Sequence, residues 1–190
     1  MNRTVSHGKN IRERLAEHLV SEGLRAPIVK RISHVAQSAV SAYYQAHHGD
    51  NSPSGQMPTN LYWFTDDAKA SKHAALLVLI YLESYETLKK RHAIATSTRG
   101  DLTAMAFART LCVYGRHCSA GQQVPISPER AYLLIQHFAD RTVWARNANS
   151  ANGIKLAYCG RCQVPLVVRS HYREVACEHC QKERANASLH

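Results

Sequence analysis

Two cysteine pairs near the C-terminus, Cys159-x-x-Cys162 and Cys177-x-x-Cys180, constrain this chain more than any other feature, with 14 residues between the inner cysteines. A two-residue gap lets a tight turn aim two sulfurs at one point, and two such turns offer four thiolates to a tetrahedral ion such as Zn²⁺ at about 2.3 Å. The spacer falls just short of the roughly 15 to 20 residues common in four-cysteine zinc sites. It suffices for two short strands and a hairpin. Val164–Val168 and Arg173–Ala176 are the strand candidates, and Gly160 is expected to ease the first turn. A tail this small buries little apolar surface, so one structural Zn²⁺ per chain is expected to supply folding energy on the order of 10 kcal/mol. Four thiolates close the coordination sphere, which argues against a catalytic ion. A redox role needs a Cys-x-x-Cys at a helix N-terminus in a βαβ context, and the pattern does not predict one. Iron or an iron–sulfur cluster is the alternative occupant. Cys112 and Cys118 lack knuckle spacing and read as small buried or incidental residues without a role.

Reading the cysteines as metal ligands rather than disulfides depends on the compartment. Residues 1–10 are polar and no apolar signal core follows, so a reducing, cytoplasmic location is expected. The longest apolar run, Ala74–Leu82, is nine residues, against about 20 for a membrane-spanning helix. With 24 Lys and Arg against 14 Asp and Glu, the formal charge is 24 − 14 = +10. Such an excess favours a polyanionic partner. A Zn²⁺ with four thiolates contributes 2 − 4 = −2 and leaves the chain near +8.

Upstream of the cysteines the periodicity is helical. Ile11, Leu15 and Leu19 mark a first helix that Gly23 ends, and Pro27 fits the first turn of a second with Ile28, Val29 and Ile32. A third carries Val35, Ala36, Ala39, Val40 and Tyr43, with Gln37, Ser38, Ser41 and Tyr44 facing outward. Turn-forming residues fill His47–Asn60, and helices are expected over Ala68 to about Arg91 and Asp101 to about Cys118. Ser127 before Pro128 starts another, with Ala131, Leu134, Ile135, Phe138 and Val143 on one face, and Asn147–Gly153 is a second linker.

Ile28–Tyr44 can be laid on a helix-turn-helix, in which a first helix braces a second whose N-terminal side chains reach base edges. Val29, Val35, Val40 and Tyr43 fall at its buried positions. Gln37, Ser38 and Ser41 then face DNA, where Gln makes two hydrogen bonds to adenine and the hydroxyls serve base or phosphate. Lys30 and Arg31 lie near the backbone, although Lys30 replaces the usual small residue and His34 the usual glycine. In the tail Lys155, Arg161, Arg169, Arg173, Lys182 and Arg184, interleaved with His171 and Tyr172, are candidate phosphate contacts or an ordinary solvated surface. Of these, Arg161, Arg169 and Arg173 are the expected DNA contacts.

Glu22-Gly23-Leu24-Arg25, the stretch Pro53-Ser54-Gly55-Gln56-Met57-Pro58 leading to Trp63-Phe64, and the late cysteine pairs together resemble the bacterial flagellar transcriptional activator subunit FlhC family. The resemblance spans most of the chain. It implies a non-enzymatic DNA-binding activator that works in a hetero-oligomer with a second helical protein, FlhD, and recruits RNA polymerase at flagellar promoters. It also implies zinc on four cysteines, by position Cys159, Cys162, Cys177 and Cys180. Members of such a family can diverge to regulate non-flagellar genes.

Two other classes compete. A nucleic-acid enzyme would need carboxylates for metal ions, and Asp66, Asp101 and Glu129 are scattered candidates that read as solvated or capping. A zinc-stabilised adaptor would use Trp63, Phe64 and the Ala74–Leu82 run, which core packing also explains, and adjacent His47 and His48 read as exposed. The expected architecture is mainly α: a helical segment with the helix-turn-helix at 1–48, a turn-rich linker at 49–62, a helical middle at 63–152, and a zinc-binding module and tail at 153–190.

Overall fold

The computed structural model describes residues 3–92, 99–119, 126–139 and 153–187. Helices α1 (Arg3–Ser21), α2 (Ala26–Ser33), α3 (Gln37–His48), α4 (Trp63–Asp66), α5 (Ala68–His92), α6 (Arg99–Ser119) and α7 (Pro128–Ala139) precede strands β1 (Ile154–Tyr158) and β2 (Pro165–Arg169) and helix α8 (Glu178–Ala187). The chain is mainly helical. It forms two compact units, one from residues 1–58 and 81–117, the other from 59–80 and 118–190. Each is assembled from two separated stretches of sequence. Val143 and residues 147–152 of the second linker lie outside the described residues, as does the side chain of Arg184.

In the first unit α1 packs on α2 and α3, and α2 on α3. The buried stripe of α1 is Ala16, Leu19 and Val20, while Ile11 is 43% exposed and Leu15 half-buried. The expected Ile11–Leu15–Leu19 stripe is therefore corrected. Each four-residue step overshoots a helical turn by about 40°, so two steps carry a side chain off the core face. Gly23 ends α1 at φ 83°, where the N–H groups of Gly23 and Leu24 donate to the carbonyls of Val20 (2.8 Å) and Leu19 (3.1 Å). Leu19 and Leu24 are both buried, which completes a Schellman cap with its apolar contact.

Pro27 sits in the first turn of α2, and the Ala26 N–H donates to Ser52 Oγ (2.9 Å). The linker is pinned here too, because the Arg25 guanidinium donates to the carbonyls of Gly55 and Gln56. Helix α2 stops at His34, held in the left-handed region at φ 57° with its N–H on the Lys30 carbonyl (3.0 Å). That is the conformation a helix-turn-helix glycine would supply, here adopted by a residue with a Cβ. Helix α3 buries Val40 and Tyr44, while Tyr43 and Val35 are half-buried. Tyr44, expected to face outward, is the buried one, and Tyr43, expected inward, is only half-buried. Val40 and Tyr44 stand four residues apart on one face, and Tyr43 falls at its edge. At the other end of α3, His48 Nε2 donates to the Val20 carbonyl (2.8 Å) and His47 Nε2 lies 3.7 Å from a Glu17 oxygen. These exposed histidines tie α3 to α1. Helix α6 buries Ala104, Phe107, Leu111 and Tyr114, and near its start Asp101 pairs with Arg12 of α1 at 3.5 Å.

In the second unit Phe64 is fully buried, and Trp63 lies under the Arg130 guanidinium at 4.0 Å. The run expected as core or interface buries Ala74, Ala75, Leu77 and Val78. Asp67 caps α5 by accepting from the Ala70 N–H (2.7 Å), and Ser127 Oγ accepts from Arg130 N–H at the start of α7. Strands β1 and β2 form an antiparallel hairpin, Ile154 opposite Arg169 and Tyr158 opposite Pro165. The expected strand pair is half right: the partner of 165–169 lies before the first cysteine pair. Residues 173–176 form no strand, since the chain must turn there to bring Cys177 back to the hairpin. Ser71 Oγ of α5 donates to the Val167 carbonyl (2.8 Å), fastening β2 to the helices.

Candidate functional site

The hairpin loop is the first cysteine turn. Cys159 follows β1, its N–H donates to the Val164 carbonyl (3.0 Å), and the Gln163 N–H donates back to the Cys159 carbonyl (3.0 Å). Gln163, at φ 58°, takes the left-handed conformation that Gly160 was expected to provide. Gly160 instead uses its N–H on the Val175 carbonyl (2.9 Å), and a Cβ there would meet that oxygen at an ordinary 3.8 Å. Cys177 immediately precedes α8 and Cys180 lies in its first turn. A Cys-x-x-Cys thus does stand at a helix N-terminus, but in a hairpin–helix arrangement rather than βαβ.

The four sulfurs lie within 4.8 Å of one another, with Cys162 Sγ and Cys177 Sγ at 3.5 Å. Cys159, Cys177 and Cys180 are buried together with Leu166, and Val164, Val168 and Val175 pack against them. This apolar cluster is small. The four cysteines are placed to hold a metal ion, and a set of four sulfurs suits zinc or iron over hard, oxygen-seeking cations. Backbone N–H groups of Cys162, then Cys177 and Arg161, hold the Cys159 thiol well below its ordinary range. Burial, then hydrogen bonding with Cys177, Cys162 and Cys159, pushes the Cys180 thiol up. The backbone thus prepares one sulfur as an anion, while another resists ionisation until a cation compensates.

The basic residues of this module are mostly engaged by neighbours in the same unit. Arg169 pairs with Asp66 at 2.9 Å and stacks over Tyr62 at 4.8 Å, and the Asp66 hydrogen bond raises its pKa. Arg161 reaches the Cys180 carbonyl (3.4 Å) and Glu183 (3.8 Å), Lys155 Nζ donates to the Tyr172 carbonyl (2.7 Å), and Lys182 pairs with Glu178 (2.6 Å). Arg173 is exposed without such a partner among the described residues. In the other unit, Lys30, Arg31, Gln37, Ser38 and Ser41 are all exposed. Gln37 Nε2 donates to Ser41 Oγ at 3.4 Å along one face of α3. The N-cap of α3 is Ala36, which offers no side-chain acceptor to the first N–H groups of that helix.

Among the described residues, Asp66, Asp101 and Glu129 belong to no group of three side chains that could hold a metal ion. Among the described residues, the groups of three or more metal-capable side chains are the four cysteines and a second set, His18, Glu22 and Cys112. Sequence reading missed that set. His18 and Glu22 have the i, i+4 spacing of one helix face, but nothing local points to Cys112 on another helix. No helix among the described residues is long and apolar enough to cross a membrane. Compared with known proteins, the chain matches no protein-family model and no curated protein.

Proposed function

We propose that this chain is the DNA-binding subunit of a transcriptional activator, resembling FlhC, that works with a helical FlhD-like partner and recruits RNA polymerase at flagellar-type promoters. The observation that carries the reading is the α2–turn–α3 corner. It holds a left-handed His34 at the turn, and Gln37, Ser38 and Ser41 stand exposed at the start of α3. With α3 in the major groove, Gln37 addresses adenine and the serines address base or phosphate. The uncapped N–H groups of α3 are disposed toward a phosphate oxygen. Lys30 and Arg31, exposed on the last turn of α2, add phosphate contacts, and the +10 charge supports a polyanionic partner.

The tail takes a supporting part in this reading. Its metal is one structural Zn²⁺ on Cys159, Cys162, Cys177 and Cys180, which when bound cross-links hairpin and helix. Arg173 contacts phosphate directly. Arg161 and Arg169 do so by exchanging Glu183 and Asp66 for phosphate, since exposed ion pairs are worth only about 0–1 kcal/mol. The work is done in a reducing cytoplasm, without catalysis.

Chromatin immunoprecipitation of the tagged protein in its native bacterium tests the reading. Sharp peaks upstream of flagellar operons support it, and sharp peaks elsewhere keep the mechanism and change the regulon. No enrichment where the protein is expressed overturns it in favour of a protein-binding adaptor. In vitro, Gln37→Ala is expected to alter sequence preference. Lys30→Gln with Arg31→Gln is expected to weaken binding to all sequences and to flatten the salt slope by about 0.9 per lost phosphate contact.

A further inference from the structure

We propose that His18, Glu22 and Cys112 form a second zinc site, separate from the four-cysteine centre and independent of the DNA reading, that pins α1 to α6. Their ligand atoms all lie within 4.8 Å of one another, and all three residues are half-buried. The edges of a tetrahedral zinc site with N, O and S ligands are roughly 3.3–3.8 Å, so side-chain rotations of about 1 Å close the set on an ion.

Three observations point to a cation. His18 and Glu22 stand four residues apart at the end of α1, so both project over the same turn, and Cys112 approaches from α6. None of the three side chains has a hydrogen-bond or ion-pair partner among the described residues, although all three are half-buried. Glu22 carries its carboxylate at the C-terminal end of α1, where the helix dipole disfavours an anion. A cation there offsets that cost, and the three unengaged side chains leave their donor atoms free to take it. The carboxylate also has room to lie along α6: a Cβ at Gly115, three residues beyond Cys112, would stand 3.8 Å from Glu22 Oε2.

Zinc is the class of ion that this set selects. A thiolate, an imidazole and a carboxylate form a borderline donor set that magnesium and calcium do not favour. The charges close as well, since Zn²⁺ with one thiolate, one carboxylate and a neutral imidazole sums to zero, whereas four thiolates leave −2. Binding releases one proton from the Cys112 thiol as the Zn–S bond forms. With three protein ligands the fourth position takes water, which makes this the more readily exchanged of the two centres. Because α1 packs on α2 and α3, its occupancy stiffens the support of those two helices.

The test counts metal in the full-length chain after equilibration with micromolar zinc. Two zinc ions per chain are expected in the wild type and one in Cys112→Ser, His18→Ala or Glu22→Gln. Alkylation of the wild type with iodoacetamide gives a readout that needs no variant. Added zinc is expected to slow labelling of Cys112 at least tenfold while leaving Cys118 unchanged. Zinc-independent labelling of Cys112, or a second zinc retained in Cys112→Ser, overturns the proposal.

Discussion

Between Ala26 and His48 the chain turns a corner on apolar burial, and between Ile154 and Cys180 it turns one on sulfur. The first corner buries Ile28, Val29, Val40 and Tyr44, and it rests on Ala16, Leu19 and Val20 of α1. Its polar ends are closed locally, at Gly23, His34 and Gly49, each in the left-handed region. The second corner has Leu166 and three half-buried valines around its cysteines, too little apolar surface to hold a hairpin against a helix. Its geometry is aimed instead at a point between four sulfurs. The lesson is that one chain holds one small motif by exclusion of water and builds another around four cysteines placed to hold a metal ion. Metal and denaturant should therefore act on different parts of it.

With a metal on the four sulfurs, its removal is expected to be the largest perturbation. Chelation, or Cys177→Ser, is expected to withdraw on the order of 10 kcal/mol of metal-linked folding energy from the hairpin and α8. Amide NMR signals of residues 154–180 should collapse while those of 26–48 stay dispersed. If both sets persist, ligation does not hold the module, and if both vanish, the contrast between the two corners fails.

The complementary cut is Leu19→Ala. Leu19 is fully buried, so the change is expected to cost about 2–5 kcal/mol. A urea melt followed at α1–α3 should shift, while the four tail cysteines keep their resistance to alkylation. Smaller and opposite in sign is His34→Gly. The φ of 57° is costly for a residue with a Cβ and free for glycine, so the denaturant midpoint should rise by the equivalent of about 1 kcal/mol. An unchanged midpoint would mean that the turn is not where strain resides.

The smallest effect concerns pH. The Lys182 hydrogen bond, and then its charge, hold the Glu178 carboxyl below the ordinary glutamate range. A pKa depressed by folding stabilises the folded state above the ordinary value, and that contribution is lost as pH falls through the depressed one. Both side chains are about half exposed or more, so the effect on stability is slight. NMR titration of the Glu178 side chain should give a midpoint below that of the same residue in Lys182→Met. Equal midpoints would show that the ion pair at the start of α8 is not formed in solution.

Much of this was legible in one dimension because the interactions are local. Pro27, Gly23 and Ser127 mark helix ends through their own backbone chemistry, and the knuckle spacing marks ligands through the reach of a tight turn. Where reading failed, the deciding contact was distant. Whether Tyr43 or Tyr44 is buried depends on how α3 rolls against α1. The pairing of 165–169 with 154–158 rather than 173–176 depends on where the hairpin must meet the second cysteine pair.

By itself the sequence determined the mainly helical class, the α2–turn–α3 corner with its awkward histidine, and the four cysteines that belong together. Only the tertiary structure decided that Arg169 pairs with Asp66 and stacks over Tyr62, and that His18 and Glu22 meet Cys112 90 residues further along. The physical reason is range. Caps, turns and knuckles act over a few residues, whereas ion pairs and mixed-ligand clusters depend on packing that joins distant parts of the chain.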